Sequence, residues 1–459
     1  MPAGAGRRDR VVRADDCGRG SWSRRTFLLR LAVGAASGTA ASGWLVGGAT
    51  VRTKADNLDP FDSHAAGWQW DNRHSVNWPG FRGPCGLAVC EGRRPPLVWD
   101  GASGRNVRWK VRLPLPGTSS PAVWQDRVFL TGATAERREV WCFAAADGRL
   151  LWRGSVQNVP GSPSEPPDIL PDVTHAPASP ACDGRRVVAV FANADLACFS
   201  LTGRLLWARN LGPLHVDYAY ASSPLLAAGR VFVQVDGRDG GRVLALDAAT
   251  GKPLWEQRRR LKSCWSSPVL VRVKGQWQLV LNGNPDVVAY EPVTGRQLWR
   301  VQCMEGDLTP SPAFSDGVVA VAQDYARCAA IDASTGRLLW QREELDLPDV
   351  ASPVATRGLL FLPTSFGTVT CLRLSDGRKL WSHEFDEGGY GSPVVVDDRV
   401  YWTNFAGHTY VFRAAETFQL LASLPLGEKS NCTPAFVGRS VYVRGEKHLF
   451  AFGEPATGR

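Results

Sequence analysis

The side chains able to do chemistry are spread along the chain. His175 has the imidazole that a general base or metal ligand would use, and a structural hydrogen bond to a loop carbonyl is its plainer use. Asp217, Glu305, Asp307 and Asp324, with the amides of Asn282, Asn284, Asn404 and Asn431, supply the oxygens that calcium takes. Calcium needs six or more such oxygens, and no short stretch provides them. Tyr218, Tyr220, Trp265, Tyr325 and Tyr390 offer flat faces to a ligand or partner. The seven histidines include no pair at i, i+4, and the eleven cysteines form no C-x-x-C or adjacent pair. G-x-S-x-G, H-E-x-x-H and phosphate-loop patterns are absent from the sequence. The expectation is a binding face, without catalytic residues or a resident metal.

Short strands must position that face. A spacing A-x-D-x-x-x-G-x-x-x-W runs through Ala245, Asp247, Gly251 and Trp255. It returns at Ala330, Asp332, Gly336 and Trp340, and with Glu291 in the acidic place at Ala289, Gly295 and Trp299. Weaker copies end at Trp152, Trp207 and Trp381. A Ser-Pro or Thr-Pro precedes each unit, at Pro121, Pro180, Pro224, Pro268, Pro312, Pro353, Pro393 and Pro434. Apart from one interval of 59, these prolines lie 40 to 44 residues apart. Each unit holds four short runs rich in β-branched and aromatic residues, separated by Gly and Asp turns. Such a period specifies a propeller.

The count closes a ring. The eighth unit stops after Phe452 without a fourth strand, and the run 106–111 is a strand without a unit. Joining them predicts an all-β, eight-bladed propeller of four-stranded antiparallel blades, closed by the N-terminal strand. Closure removes exposed sheet edges. Trp152, Trp207, Trp255, Trp299, Trp340 and Trp381 are expected to be buried between blades. Cys142, Cys198 and Cys371 stand at or near the small Ala position, where a buried thiol replaces Ala.

The docking spacing resembles the tryptophan repeat of pyrroloquinoline-quinone (PQQ) type propellers, across Trp109 to Phe452. That superfamily includes quinoprotein alcohol dehydrogenases and the propeller lipoprotein of outer-membrane barrel assembly. The leader Trp78-Pro79-Gly80-Phe81-Arg82-Gly83-Pro84 resembles segments of exported PQQ-binding-like proteins. Two functions are implied. One is a non-catalytic protein-binding or scaffold module of the cell envelope, monomeric and without cofactor. The other is a dehydrogenase holding PQQ and calcium in the channel, commonly with a vicinal disulfide that this chain lacks. The first is favoured.

The N-terminus fits export. Ser23-Arg24-Arg25-Thr26-Phe27-Leu28 matches the twin-arginine pattern, and residues 31–51 are uncharged. The periplasm is the expected destination, with 1–51 either removed or kept as an inner-membrane anchor. Of the formal net charge of +9, residues 1–30 hold eight Arg against three Asp, so nucleic acid is not an expected partner. Residues 52–104 read as a leader packed on the outside of the ring, with Cys85 and Cys90 spaced for a disulfide, and 105–459 as the propeller. The long, variable loops, including the insert 153–178, share one face, where binding is expected.

Overall fold

Each letter of the repeat has a physical task in the computed structural model, which describes residues 76–170, 173–212, 214, 216 and 218–453. Asp247 Oδ1 accepts the N–H groups of Ala249 (3.1 Å) and Thr250 (2.8 Å), fixing the hairpin turn. Gly251 completes that turn at φ 69°, and a Cβ there would lie 2.6 Å from the ring of Trp207 in the preceding blade. Trp255 pairs with Ala245 across the hairpin, beside a β-bulge. The other five tryptophans likewise face Cys142, Cys198, Ala289, Ala330 and Cys371, so only a small side chain stands opposite the indole.

The indoles reach from blade to blade. Nε1 of Trp152, Trp207, Trp255, Trp299, Trp340 and Trp381 donates to a turn carbonyl of the next blade at 2.8–3.0 Å. Packing outweighs this bond: truncating a packed aromatic costs about 3–5 kcal/mol, against about 1 kcal/mol for a net hydrogen bond. Trp299 and Trp340 are buried, and the other four are half-buried.

Eight sheets result, each built on four antiparallel strands that follow one another in sequence in all blades but the last. We number the blades 1 to 8 from 122–155 onward. Innermost strands such as Val394–Val396 are buried throughout, whereas outer strands such as Lys379–Glu384 alternate with solvent. The eighth blade is completed by Val107–Arg112, antiparallel to His448–Gly453, which is the expected closure. The strand Val89–Cys90 adds a fifth member to blade 7, parallel to its innermost strand.

The Ser/Thr-Pro marks form a closed hydrogen-bonded circle. The N–H of Ser120 donates to Ser179 Oγ, Ser179 to Ser223, Ser223 to Ser267 and Ser267 to Ser311, at 2.8–3.0 Å. Ser311 continues to Ser352, Ser352 to Ser392 and Ser392 to Thr433, and Thr433 N–H returns to Ser120 Oγ at 2.9 Å. All eight residues are buried. At the closing seam Arg444 of blade 8 donates to Ser119 Oγ (2.6 Å) and Thr131 O (2.7 Å) of blade 1.

The described residues all belong to one compact unit, Leu58–Arg459. Residues 1–51, expected to direct export, lie outside the described residues, as does Asp217. Among the described residues no helix is long and apolar enough to cross a membrane.

Breaking the circle tests its energetic role. Ser267→Ala orphans the buried N–H of Ser223 and should cost about 1–3 kcal/mol in urea unfolding. Ser267→Thr keeps the acceptor, as Thr433 does in blade 8, and should stay within about 1 kcal/mol of the parent. Equal losses from the two variants would contradict the assignment.

Candidate functional site

A propeller offers two places to bind, its central channel and its loop face. The channel is filled by the chain's own leader. Trp78 exchanges N–H···O bonds with Val123 of blade 1 (2.8 and 2.6 Å), and Pro79 O accepts from Cys182 N–H at the head of blade 2 (2.7 Å). Gly86 lies against Leu225 of blade 3 and Pro268-Val269 of blade 4. Arg82 Nη1 donates to Pro312 O (2.9 Å) and Nη2 to Pro353 O (2.5 Å), at the heads of blades 5 and 6. Val89–Cys90 pairs with blade 7, and Arg93 donates to Phe436 O of blade 8. All eight blades touch the segment. The expectation that the leader packs outside the ring is therefore overturned: its backbone is satisfied by the innermost strands.

The leader's letters follow from this path. Gly83 has φ 68°, and a Cβ there would meet the Trp78 ring at 2.8 Å, so the chain folds back over the indole only with glycine. Arg93 caps the same ring, its Cζ 5.4 Å from the centroid. Arg82 is fully buried, and burial pulls its pKa down to about 9, which still leaves it charged at neutral pH. Both ends of the segment sit on the hairpin-turn side, where Gln125 N–H donates to Asn77 Oδ1 and Arg94 N–H to Gly438 O. The Cys85–Cys90 disulfide that the spacing left open is not formed. Cys85 lies in the cluster that holds Phe232 and Leu270, and Cys90 in the cluster that holds Trp78 and Val395, each outside any disulfide.

On the loop face the structure gathers some sequence candidates and separates others. Tyr218 and Trp265 meet edge to face at 5.2 Å, Trp265 Nε1 donates to Ala219 O, and Tyr220 Oη donates to Gln234 O, all above blades 3 and 4. Asn282 joins them, its Nδ2 bonded to Pro310 O and its carbonyl accepting from Gln234 and Arg259. Asn284 Nδ2 donates to Gly306 O (2.7 Å). Glu305 pairs with Arg327, half-buried Asp307 shares its loop, and Asp324 N–H donates to Pro348 O. Tyr325 projects into solvent. Tyr390 stands edge to face with Phe405 at 4.7 Å, and Asn404 Oδ1 accepts His408 N–H to close a turn. His175 and Asn431 are half-buried; His175 O accepts from Ala192 N–H, whose own carbonyl accepts from Tyr220 N–H. Burial lowers the His175 pKa below its ordinary value, with Glu136 opposing. Tyr220, Trp265, Asn282, Asn284 and Asn404 thus spend side-chain polar atoms on backbone groups.

Sequence reading missed a buried network under the blade 3–4 loops. Asp236 Oδ2 lies 2.6 Å from Arg259 Nη1 and accepts from Gln234 Nε2, which also contacts Cys264 Sγ. Burial raises the Asp236 pKa to about 6, while Arg259 and Gln234 pull it back. The available signal was a polar pair, Gln234 and Asp236, ending the apolar run that starts at Val231.

A quinone with calcium would require converging carboxylates. Here Asp195 is held by Arg138, Asn193 and Asn210, Glu139 by Arg137 and Arg153, and Asp286 by Arg300. Among the described residues no group of three or more His, Cys, Asp or Glu could hold a metal ion, and a guanidinium stands in the channel. The residues present do not fit that group.

The docking repeat and the eight-bladed ring define a PQQ-like propeller. The family model described as outer membrane protein assembly factor BamB matches residues 65–234, 138–272 and 239–459, and the chain belongs to that family. The BamB of Yersinia pestis is 29% identical over 177 residues, 37% of this chain and 39% of that protein, so the match spans about two fifths of the relative. The Moraxella catarrhalis BamB structure aligns with TM-score 0.57 at 14% identity, covering 76% of this chain and 98% of that one. A quinohemoprotein alcohol dehydrogenase of Pseudomonas putida aligns with TM-score 0.63 at 14% identity, covering 84% and 81%. These likenesses show the shared fold.

Burial also pushes the thiols up, Cys90 and Cys432 to about 11, Cys142 and Cys264 to about 12. At pH 8 they stay neutral and covered. In the native chain the ten described thiols should be silent toward Ellman's reagent, and without reductant all eleven should react in denaturant. Nine in denaturant would restore the disulfide; rapid native labelling of Cys85 or Cys90 would contradict the filled channel.

Proposed function

We propose that the chain is an exported, non-catalytic propeller that presents its loop face to a protein of the cell envelope. The observation carrying this reading is the channel filled by Arg82 and the leader, with the buried carboxylates of the loop side held by arginines. Membership of the BamB family supports an envelope setting, and the Ser23–Leu28 pattern supports twin-arginine export to the periplasm, with residues 31–51 cleaved or kept as an anchor. The likeness to a quinohemoprotein dehydrogenase is one of fold, and fold does not carry activity with it.

A dye-linked dehydrogenase assay tests the reading, run with saturating PQQ and Ca²⁺ on protein recovered from the periplasmic fraction. We expect no turnover of simple alcohols or aldose sugars above background. Turnover abolished by EDTA and restored by Ca²⁺ would establish the dehydrogenase alternative. Recovery from the cytoplasm alone would remove the export half of the proposal.

A further inference from the structure

Among the described residues large aromatic side chains are covered, with two exceptions. Among the described residues only Tyr325 (57% exposed) and Phe366 (41%) stand out in solvent. They occupy the same place in neighbouring blades, three residues beyond the strands Val318–Ala322 and Leu359–Pro363, at the tips of loops on the loop face. The segment 343–351 runs between the two tips. It is held on one side by Asp324 N–H to Pro348 O (2.9 Å) and on the other by Ser365 Oγ to Asp349 Oδ2 (2.7 Å). An exposed large aromatic is informative where a scattered exposed leucine is not.

The charge around the tips is mainly negative. Glu343, Glu344 and Asp346 are exposed on the segment between them. Glu305 flanks the blade 5 tip, and Asp386 and Glu387 flank the blade 6 tip, all exposed. Arg327, shared by Glu305 and Glu343, and Arg342, 3.8 Å from Glu344, are the cations paired with this set. Aromatic faces attract guanidinium and ammonium groups through their quadrupole, and carboxylates attract them through charge. Two features of different chemistry therefore select the same ligand. Phosphate backbones and anionic headgroups carry the wrong sign for this surface.

We propose that the loop face over blades 5 and 6 docks a basic segment of a partner protein, seating arginine or lysine side chains on Tyr325 and Phe366 within the carboxylate rim. This rests on the binding reading above and assigns its partner a chemistry.

The test uses the full chain and a fluorescein-labelled peptide alternating arginine or lysine with serine, beside the same peptide carrying glutamate at the basic positions. Fluorescence anisotropy should show binding of the basic peptide alone. Tyr325→Ala with Phe366→Ala should weaken it about tenfold, and Glu343→Lys with Glu344→Lys at least as much. Asp126→Lys with Glu416→Lys, at exposed hairpin-turn positions away from the loop face, should leave it within about twofold. Equal weakening by that control pair would mean binding to the general field of the protein and would overturn the assignment. Undiminished binding to the alanine pair, or no binding by the parent chain, would overturn it as well. Dehydrogenase turnover, which would remove the reading of the whole protein, leaves these affinities unaffected, so the two failures are distinguishable.

Discussion

The circle of eight N–H···Oγ bonds is the constraint from which the rest of the structure follows. A buried backbone N–H must find an acceptor or cost free energy comparable to a lost hydrogen bond. Each of these N–H groups finds it on the side chain of the next blade, so no blade head is satisfied alone. The return from Thr433 to Ser120 demands that the last blade lie beside the first, and Val107–Arg112 completes that last blade. Proline after each Ser or Thr has no N–H of its own to satisfy, and at Pro312 and Pro353 its carbonyl accepts from the leader inside the channel.

Arg82 depends on those carbonyls. Taking a guanidinium out of water costs several kcal/mol, recovered only by close dipoles and hydrogen bonds. Here two carbonyls from adjacent blades accept from it, 230 and 271 residues away in the chain. Arg444 repeats the device at the seam, where burial lowers its pKa to about 10 and Ser119 Oγ and Thr131 O accept hydrogen bonds from it. Both cations tie together elements distant in sequence. With the channel occupied in this way, the surface open to a partner is the outside of the ring, and the loop face carries its only exposed aromatics among the described residues.

The fold was legible because the sequence states each blade repeatedly. Ala245, Asp247, Gly251 and Trp255 have local or nearest-blade tasks that recur, so their spacing shows through variation, and Cys142 or Cys371 can replace Ala beneath an indole. The leader was not legible, because its contacts are single, long-range and without period; nothing near Arg82 in sequence announces Pro312 or Pro353. The candidate site was legible only as a face. Asn282, Asn404, Tyr220 and Trp265 read as polar or aromatic loop residues, and their polar atoms turn inward to bond backbone groups. Asp236 and Arg259 escaped notice because a pair 23 residues apart on two strands leaves no spacing signal.

The central claim is that residues 77–94 are part of the core, bound to all eight blades. Amide hydrogen exchange of the native chain, read on peptides covering that segment, tests it most directly. Amides such as Trp78 and Ala88, bonded to Val123 O and Arg82 O, should be protected as long as those of Val394–Val396, because both open only with the ring. Exchange of the segment as fast as in the exposed loop 161–168, with Val394–Val396 still protected, would contradict it.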